Sequence, residues 1–260
     1  MTELEIILYL VGGLIMLFIG AEGLIRGSSN LAIKIGITPL VVGLTVVAFG
    51  TSTPELVVSL KAALLGNSSI SLGNVVGSNI ANIALILGVA ALIKPLDVHA
   101  KVIMREIPIM IGISLLLLLL LLDGELGFID GLVFVSGIIT YTFVNVWMAR
   151  KEKSPEVDKE FKDGLKSKLG IPVSIVLMIA GLGLLILGAN LFVQSAVAIA
   201  KMFNVSDAII GLTIVAIGTS LPELITSIVA AYKKEADIAI GNVVGSNVFN
   251  ILGILGITAL

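Results

Sequence analysis

This 260-residue chain contains no cysteine, a single histidine and few charged residues. Without cysteine it can form neither a disulfide nor a thiolate, which excludes a disulfide scaffold and a cysteine nucleophile. The lone histidine, His99, falls in a predicted loop, which argues against a zinc or copper site. The formal net charge is −2 and no basic, aromatic-rich patch is present, so nothing in the sequence indicates binding to nucleic acid.

Apolar residues make up 57% of the chain against 13% for charged residues, and the mean hydropathy is +1.15. Several apolar runs exceed the roughly 18 residues that mark a membrane-spanning helix. The start of the chain lacks a charged n-region and a small-residue cleavage pattern, so we interpret it as a retained helix. We therefore predict an all-α polytopic membrane protein surrounded by the lipid bilayer. The eight predicted spans cover about residues 5–25, 37–65, 70–93, 102–122, 128–149, 171–200, 207–232 and 238–260.

One long segment of the chain occurs twice. GLTVVAFGTSTPEL followed by GNVVGSNIANI in residues 43–92 returns as GLTIVAIGTSLPEL followed by GNVVGSNVFNI in residues 211–260. The offset is 168 residues throughout, without a gap. The protein therefore carries the same polar set twice within apolar spans. Its matched positions are Thr51/Thr219, Ser52/Ser220, Glu55/Glu223, Asn74/Asn242, Ser78/Ser246 and Asn82/Asn250.

The distribution of basic residues predicts how the chain crosses the membrane. With the N-terminus outside, fourteen Lys and Arg residues fall on the inner side and only Lys61 and Lys201 fall outside. Residues 150–170 then form a cytoplasmic linker between a first repeat of five helices, residues 1–149, and a second repeat, residues 171–260. Because five spans precede the linker, the second repeat is inverted, an arrangement typical of secondary transporters. We predict a multi-pass protein of the plasma membrane.

The repeat also predicts two helices that lie beyond this chain. The first copy continues through residues 102–149 as two spans, whose counterparts would follow Leu260. We therefore expect a ten-helix parent protein of which eight spans are present. The alternative is a protein with eight helices.

Glu55 and Glu223 fall near the middle of their predicted spans. An acidic residue at a helix centre costs roughly 2.5–3.5 kcal/mol on insertion scales, and here the cost arises twice. No Lys or Arg is predicted near mid-membrane, so each carboxylate requires a bound cation or a proton. Pro54 and Pro222 precede the two glutamates, and each lacks an N–H and frees carbonyls in the preceding turn.

The ligands that these segments offer are all oxygen atoms: carboxylate, carbonyl, hydroxyl and amide. Hard cations such as Ca²⁺ and Na⁺ prefer oxygen ligands. Two carboxylates neutralise one Ca²⁺ or two Na⁺, so the two ions can compete for one site. Competition for a shared site, with access alternating between the two faces, is sufficient for exchange. Asn74, Ser78 and Asn82 are spaced four residues apart and share one helix face, which can contribute to such a site.

Two further carboxylates have plainer explanations. Glu22 has Asn190 as its counterpart in the second copy, so it breaks the symmetry and is not expected to bind an ion. Glu106 follows Arg105 near the start of a predicted span, where we expect a solvated interfacial pair. The glycines of GNVVGSN are typical of helix packing.

The repeated motifs resemble the calcium/cation antiporter superfamily, most closely its prokaryotic sodium/calcium exchangers. The resemblance lies in GTSTPEL (50–56) with GNVVGSNIAN (73–82), and in GTSLPEL (218–224) with GNVVGSNVFN (241–250), which look like the alpha-repeats of that family. It implies a ten-helix antiporter with four cation positions near the midplane. It also implies that sliding of the first and sixth helices across the rest switches access between the two faces.

The resemblance further implies roles for individual residues of the repeats. Glu55 and Glu223 would be the central ligands that Ca²⁺ and Na⁺ share, with Asn82 and Asn250 lining the same position. The flanking Na⁺ positions would take hydroxyls and backbone carbonyls from Thr51, Thr219, Ser52, Ser220, Ser78, Ser246, Ala48 and Ala216.

The sequence leaves the coupling of transport open. Some relatives carry an aspartate in one copy where this chain has Asn82 and Asn250, so the number of Na⁺ per Ca²⁺ is undetermined. We predict a secondary active antiporter for Ca²⁺ and Na⁺ that is not an enzyme and needs no cofactor or obligatory protein partner. The alternatives are a proton-coupled or K⁺-dependent exchanger, a cation channel, and a membrane enzyme that uses paired glutamates.

Overall fold

The computed structural model describes residues 1–100, 102–151, 169–210, 213–214 and 216–260, and within these ranges it contains helices but no β-strand. The all-α prediction is confirmed. π-helical turns lie within the fourth and eleventh helices, at Asn82–Ile86 and Phe249–Leu255. The helices are α1 (Glu3–Ile35), α2 (Pro39–Thr51), α3 (Thr53–Leu64), α4 (Ser68–Ile93), α5 (Val102–Asp123), α6 (Phe128–Lys151), α7 (Ile171–Met202), α8 (Asp207–Ile210), α9 (Ala216–Thr219), α10 (Leu221–Tyr232) and α11 (Ala236–Ala259).

Six of the described helices are long and apolar enough to cross a membrane, and the number is seven if the bent pair α2–α3 crosses as one span. The predicted span at 207–232 is not confirmed, because residues 211, 212 and 215 lie outside the described residues and α10 has only 12 residues. Most of the predicted linker, residues 152–168, also lies outside the described ranges. The count of eight spans and the division into two repeats therefore stay predictions.

The long helices α1 and α7 pack against each other along a seam of glycines. A Cβ atom on Gly20 would lie 2.7 Å from the Gly181 carbonyl oxygen, and one on Gly13 would lie 2.8 Å from that of Gly188. Small residues of this kind let membrane helices approach closely. Early residues of α1 contact late residues of α7, so the two helices run antiparallel. Gly188 is the repeat counterpart of Gly20, and Gly181 is that of Gly13, so the two contacts are equivalent and the seam is symmetric.

Both copies of the GTS-x-PE motif interrupt a helix at their serine. α2 ends at Thr51 and α3 begins at Thr53, with a bend of 48° between them. Ser52 adopts φ −81° and ψ 9°, and Ser220, between α9 and α10, adopts φ −87° and ψ 6°. A proline is the second residue of the next helix in each case, where its missing N–H costs nothing. The two helix breaks thus have the same local cause and nearly the same geometry.

Helix α11 lies at the centre of the molecule. Its most apolar 18-residue window is 94% buried, whereas the other five long apolar helices are 11–28% buried. It packs against α2, α3, α4, α6 and α10. A Cβ atom on Gly241 would lie 2.8 Å from the Leu40 carbonyl oxygen, and one on Gly245 would overlap Leu44. The glycines of the second GNVVGSN segment therefore serve close packing against α2.

Candidate cation-binding site

The two helix breaks meet, and each serine reaches the carboxylate of the other copy. Ser52 Oγ donates a hydrogen bond of 2.8 Å to Glu223 Oε1, and Ser220 Oγ donates one of 3.0 Å to Glu55 Oε1. Both glutamates are 1% exposed. The structure therefore brings Glu55, Glu223, Ser52 and Ser220 together in one buried cluster.

A second pair of contacts fixes the first turns of α3 and α10. Asn74 Nδ2 donates to the Glu55 carbonyl oxygen at 3.2 Å and to Ser59 Oγ at 2.9 Å. Asn242 Nδ2 makes the equivalent bonds to the Glu223 carbonyl oxygen and to Ser227 Oγ, at 3.3 Å and 3.1 Å. These bonds hold the backbone that carries each glutamate.

A third pair of contacts crosses between α4 and α11. Asn82 Nδ2 donates to Asn247 Oδ1 and Asn250 Nδ2 donates to Asn79 Oδ1, each at 3.0 Å. Asn79 Nδ2 also donates to the Asn247 carbonyl oxygen at 3.1 Å. Because the amide nitrogens of Asn82 and Asn250 are engaged in this way, their oxygens are left to face elsewhere.

Four oxygen atoms of this cluster are buried, and none has a hydrogen-bond partner among the described residues: Glu55 Oε2, Glu223 Oε2, Asn82 Oδ1 and Asn250 Oδ1. The π-helical turn that begins at Asn82 packs against α10, and the turn that contains Asn250 packs against α3. Each asparagine thus lies beside the helix that carries one of the glutamates. π-helical turns of this kind are frequent at functional sites.

An unpaired polar atom in a protein interior is costly, and an unpaired carboxylate is more so. Within the described ranges no Lys, Arg or His forms an ion pair with either glutamate, and no cluster of three or more His, Cys, Asp or Glu residues is present. The cluster therefore offers two carboxylates and two amide oxygens without the cysteine and histidine ligands typical of zinc. Such a set suits a hard cation.

The predicted flanking ligands lie around this centre, with differences between the copies. The Thr51 hydroxyl is 3.0 Å from Asn242 Oδ1 and 3.3 Å from the Ala48 carbonyl oxygen. Ser246 Oγ approaches the same Ala48 oxygen at 3.5 Å. Ser78 Oγ lies 3.5 Å from Ser220 Oγ.

In the second copy, Thr219 Oγ1 donates to the Ala216 carbonyl oxygen of its own helix at 3.1 Å. Thr51 is fully buried, whereas Thr219 is only half-buried. The second copy is therefore the less enclosed of the two.

Sequence reasoning missed four residues of this network: Ser59, Ser227, Asn79 and Asn247. The four residues form two pairs related by the 168-residue offset, because Ser59 corresponds to Ser227 and Asn79 to Asn247. The signal that could have found them is therefore the same repeat that identified the glutamates. Serine and asparagine carry no charge, so they cost less in a membrane span than a carboxylate and are a weaker indication of a site.

The expectation that Glu106 forms a solvated interfacial pair is wrong. Glu106 is 1% exposed, and its Oε1 accepts from Arg105 Nε at 2.7 Å while its Oε2 accepts from the Tyr141 hydroxyl at 2.8 Å. Arg105 also donates to Asn145. The partners Tyr141 and Asn145 come from α6, and a pattern within α5 alone cannot reveal them. Glu106 belongs to a buried network that joins α5 to α6.

Comparisons with known proteins agree with this geometry. The family model for the sodium/calcium exchanger protein matches residues 5–147 and 173–260. The sodium/calcium exchanger MaX1 of Methanosarcina acetivorans is 33% identical over 290 residues, covering 97% of this chain and 82% of MaX1. The inner membrane protein YrbG of Escherichia coli is 39% identical over 254 residues, covering 96% of this chain and 78% of YrbG.

The fold is also similar to that of a solved exchanger. A structure of the sodium-calcium exchanger NCX_Mj soaked with Na⁺ and Sr²⁺ superimposes with a TM-score of 0.87 and 35% sequence identity, covering 100% of this chain and 83% of NCX_Mj. The two repeats, the crossed serine–glutamate contacts and these likenesses lead to one conclusion: this multi-pass membrane protein belongs to the sodium/calcium exchanger protein family.

Proposed function

We propose that this protein exchanges Ca²⁺ for Na⁺ across the plasma membrane by alternating access. The observation that carries the proposal is the set of four buried, unpaired oxygens on Glu55, Glu223, Asn82 and Asn250. Membership of an exchanger family supports cation antiport, and the chemistry of the four oxygens supports Ca²⁺ and Na⁺ as the ions.

Charge favours a divalent cation or a pair of monovalent cations in this cluster. Two carboxylates carry two negative charges, which one Ca²⁺ or two Na⁺ neutralise. Ca²⁺ takes six to eight oxygen ligands, so the four unpaired side-chain oxygens need help from carbonyls or hydroxyls nearby. We assign Glu55 and Glu223 to a central position that both ions share, with Asn82 and Asn250 lining it.

The residues around the centre are the proposed ligands of flanking Na⁺ positions. On one side, the Ala48 carbonyl lies among the hydroxyls of Thr51 and Ser246. The remaining proposed flanking ligands, Ser52, Ser220, Ser78, Thr219 and Ala216, border the central carboxylates or lie in the second helix break. Occupation of these positions by Na⁺ would compete with Ca²⁺ for the shared glutamates.

Exchange fits this geometry better than conduction. Both carboxylates are 1% exposed and lie in the first turns of α3 and α10, directly after the helix breaks. An ion there must be released by a rearrangement of helices, which is the property that distinguishes a carrier from a channel. The distribution of basic residues supports an orientation with the N-terminus outside and residues 150–170 in the cytoplasm.

Uptake of ⁴⁵Ca²⁺ into proteoliposomes tests the proposal. Liposomes that contain the full-length protein and internal Na⁺ are diluted into Na⁺-free ⁴⁵Ca²⁺, and matched liposomes without internal Na⁺ are the reference. We expect Na⁺-dependent uptake that Glu55→Gln abolishes and that Glu125→Gln, a change at an exposed carboxylate, leaves intact. Uptake driven instead by a pH gradient or requiring K⁺ would favour the alternative couplings, and conduction without counter-transport would make the protein a channel.

A further inference from the structure

The ion pair between Glu22 and Lys233 joins the first repeat to the second and has no counterpart across the pseudo-symmetry. Lys233, which follows the end of α10, places its Nζ 2.7 Å from Glu22 Oε1 on α1. Arg26 Nη2 lies 2.5 Å from the same oxygen, but this contact is within α1. The side chains of Glu22 and Lys233 are 29% and 25% exposed, so the pair is largely shielded from its surroundings.

The repeat offset shows that this pair belongs to one face of the protein alone. The counterparts of Glu22, Arg26 and Lys233 are Asn190, Gln194 and Leu65, none of which is charged. The pair is therefore not part of the architecture that the two repeats share. It adds an attraction between α1 and α10 that the equivalent helices α7 and α3 lack.

On the opposite face of the protein, the equivalent helices α7 and α3 are separated by a cavity. A cavity of about 280 Å³ lies between α3, α7 and α9, with Val58, Asn190 and Val193 in its lining. Thr53, Pro54, Gly218 and Thr219 also line it, so it reaches the helix breaks that carry the ion site. The positive-inside bias places this cavity on the external side of the centre.

The equivalent region on the Glu22 face is closed. The counterparts of Val58 and Val193 are Thr226 and Ile25, which are 0% and 1% exposed. Apolar residues of α1 and α10, among them Ala21 and Leu221, belong to one core cluster here. Thr226 Oγ1 is buried and has no hydrogen-bond partner among the described residues, a state that water in an open passage would relieve.

We infer that the Glu22–Lys233 pair is a latch that holds the cytoplasmic passage closed and favours the state that faces outward. The inference rests on the proposed alternating access. If the passage on this face opens as its counterpart does, α1 and α10 must separate, and the latch must break. The Arg26–Glu22 contact lies within one helix and survives that movement. Glu22 would then line the open inner passage, at the position that Asn190 occupies in the outer one.

Single cysteines measure the two passages separately, because residues 1–260 contain no native cysteine. Any cysteine of the full-length protein outside these residues is first replaced by serine. Thr226→Cys reports the inner passage and its repeat counterpart, Val58→Cys, reports the outer cavity. The readout is the rate of modification by a membrane-impermeant methanethiosulfonate, applied to each face of vesicles that contain the full-length protein. This readout requires no transported ion, so failure of the latch is distinct from failure of Ca²⁺/Na⁺ exchange.

Breaking the latch should shift accessibility in opposite directions at the two reporters. We expect Glu22→Gln to raise the modification rate of Thr226→Cys and to lower that of Val58→Cys. The ratio of the two rates should change by about two- to fivefold, the range for an ion pair that is partly exposed. Lys233→Gln should do the same, and the double variant should add little to either change. This second variant also keeps the test valid if Glu22→Gln fails to fold.

Arg26→Gln is the matched control, since it removes a cation from the same carboxylate without crossing between helices. It should leave both rates unchanged. Unchanged rates in Glu22→Gln and Lys233→Gln would overturn the inference. An equal response to Arg26→Gln would overturn it too, because the effect would then be one of local charge and not of a contact between α1 and α10.

Discussion

Ser52 and Glu223 lie 171 positions apart in the sequence, and their side chains are joined by a hydrogen bond of 2.8 Å. The reciprocal bond joins Ser220 to Glu55 at 3.0 Å. Each helix break thus orients the carboxylate that the other repeat supplies. A site built in this way cannot form from one repeat alone, which gives a physical reason for both copies to carry the same serine and glutamate.

Removal of one of these hydroxyls should weaken the site without destroying it. A hydrogen bond to a charged group contributes about 1.5–3 kcal/mol, which corresponds to roughly a tenfold to hundredfold effect. We therefore expect Ser52→Ala to raise the Ca²⁺ concentration for half-maximal uptake by about tenfold or more. Ser136→Ala, at an exposed serine of α6, should have no effect. An unchanged half-maximal concentration in Ser52→Ala would show that the contact does not orient the ligand.

The charge of the site should determine whether exchange responds to membrane potential. With two carboxylates and the neutral Asn82 and Asn250, one Ca²⁺ against two Na⁺ moves no net charge. We expect uptake by the parent protein to be indifferent to a potential imposed with K⁺ and valinomycin. Asn250→Asp adds a third carboxylate and should introduce a dependence on potential, whereas Asn67→Asp, in the turn before α4, should not. A strong dependence in the parent protein would contradict an exchange of two Na⁺ for each Ca²⁺ and would require a further Na⁺.

The glycine seam should tolerate no side chain. A Cβ atom on Gly20 would lie 2.7 Å from a backbone oxygen of α7, so Gly20→Ala forces α1 and α7 apart. Overpacking of this kind costs about 1–3 kcal/mol, and we expect a lower thermal unfolding temperature together with slower exchange. Gly12→Ala is the control, because a Cβ atom there has nothing within 4 Å. Equal unfolding temperatures for the two variants would show that the seam is not tightly packed.

Substitution of Glu106 should affect the stability of the protein, whereas substitution of Glu55 should affect Ca²⁺ binding. Glu106→Gln removes one partner of a buried ion pair and leaves Arg105 without its carboxylate, a change that typically costs about 3–5 kcal/mol. We expect a large drop in unfolding temperature, with the Ca²⁺ affinity of the remaining folded protein unchanged. Glu55→Gln should show the reverse pattern. If Glu106→Gln instead altered Ca²⁺ affinity alone, the network between α5 and α6 would belong to the transport path.

The sequence predicts the main elements of the site because charge and repetition coincide there. Glu55 and Glu223 are costly in a membrane and occur twice, and Pro54 and Pro222 mark the helix breaks that the structure contains. The amide network of Asn79 and Asn247 is equally repeated. An uncharged side chain can, however, form hydrogen bonds within its own helix, so its role is known only when the neighbouring helix is known.

The sequence does not show which side chains of different helices contact each other. Glu106 is buried because Tyr141 and Asn145 of α6 face it, and Glu22 is paired because Lys233 of the other repeat reaches it. Hydropathy and spacing define each helix separately, whereas the burial of a charge depends on which helices pack together. The span at 207–232 is a different case, since residues 211, 212 and 215 lie outside the described residues and the helix is interrupted at Ser220.

Binding of ⁴⁵Ca²⁺ to the purified full-length protein, measured by equilibrium dialysis at increasing Na⁺, tests the central claim most directly. We predict one site that Na⁺ displaces competitively and that disappears in both Glu55→Gln and Glu223→Gln but remains in Glu125→Gln. Ca²⁺ binding that persists in both glutamate variants, or that Na⁺ fails to displace, would contradict a site shared by the two ions at these carboxylates.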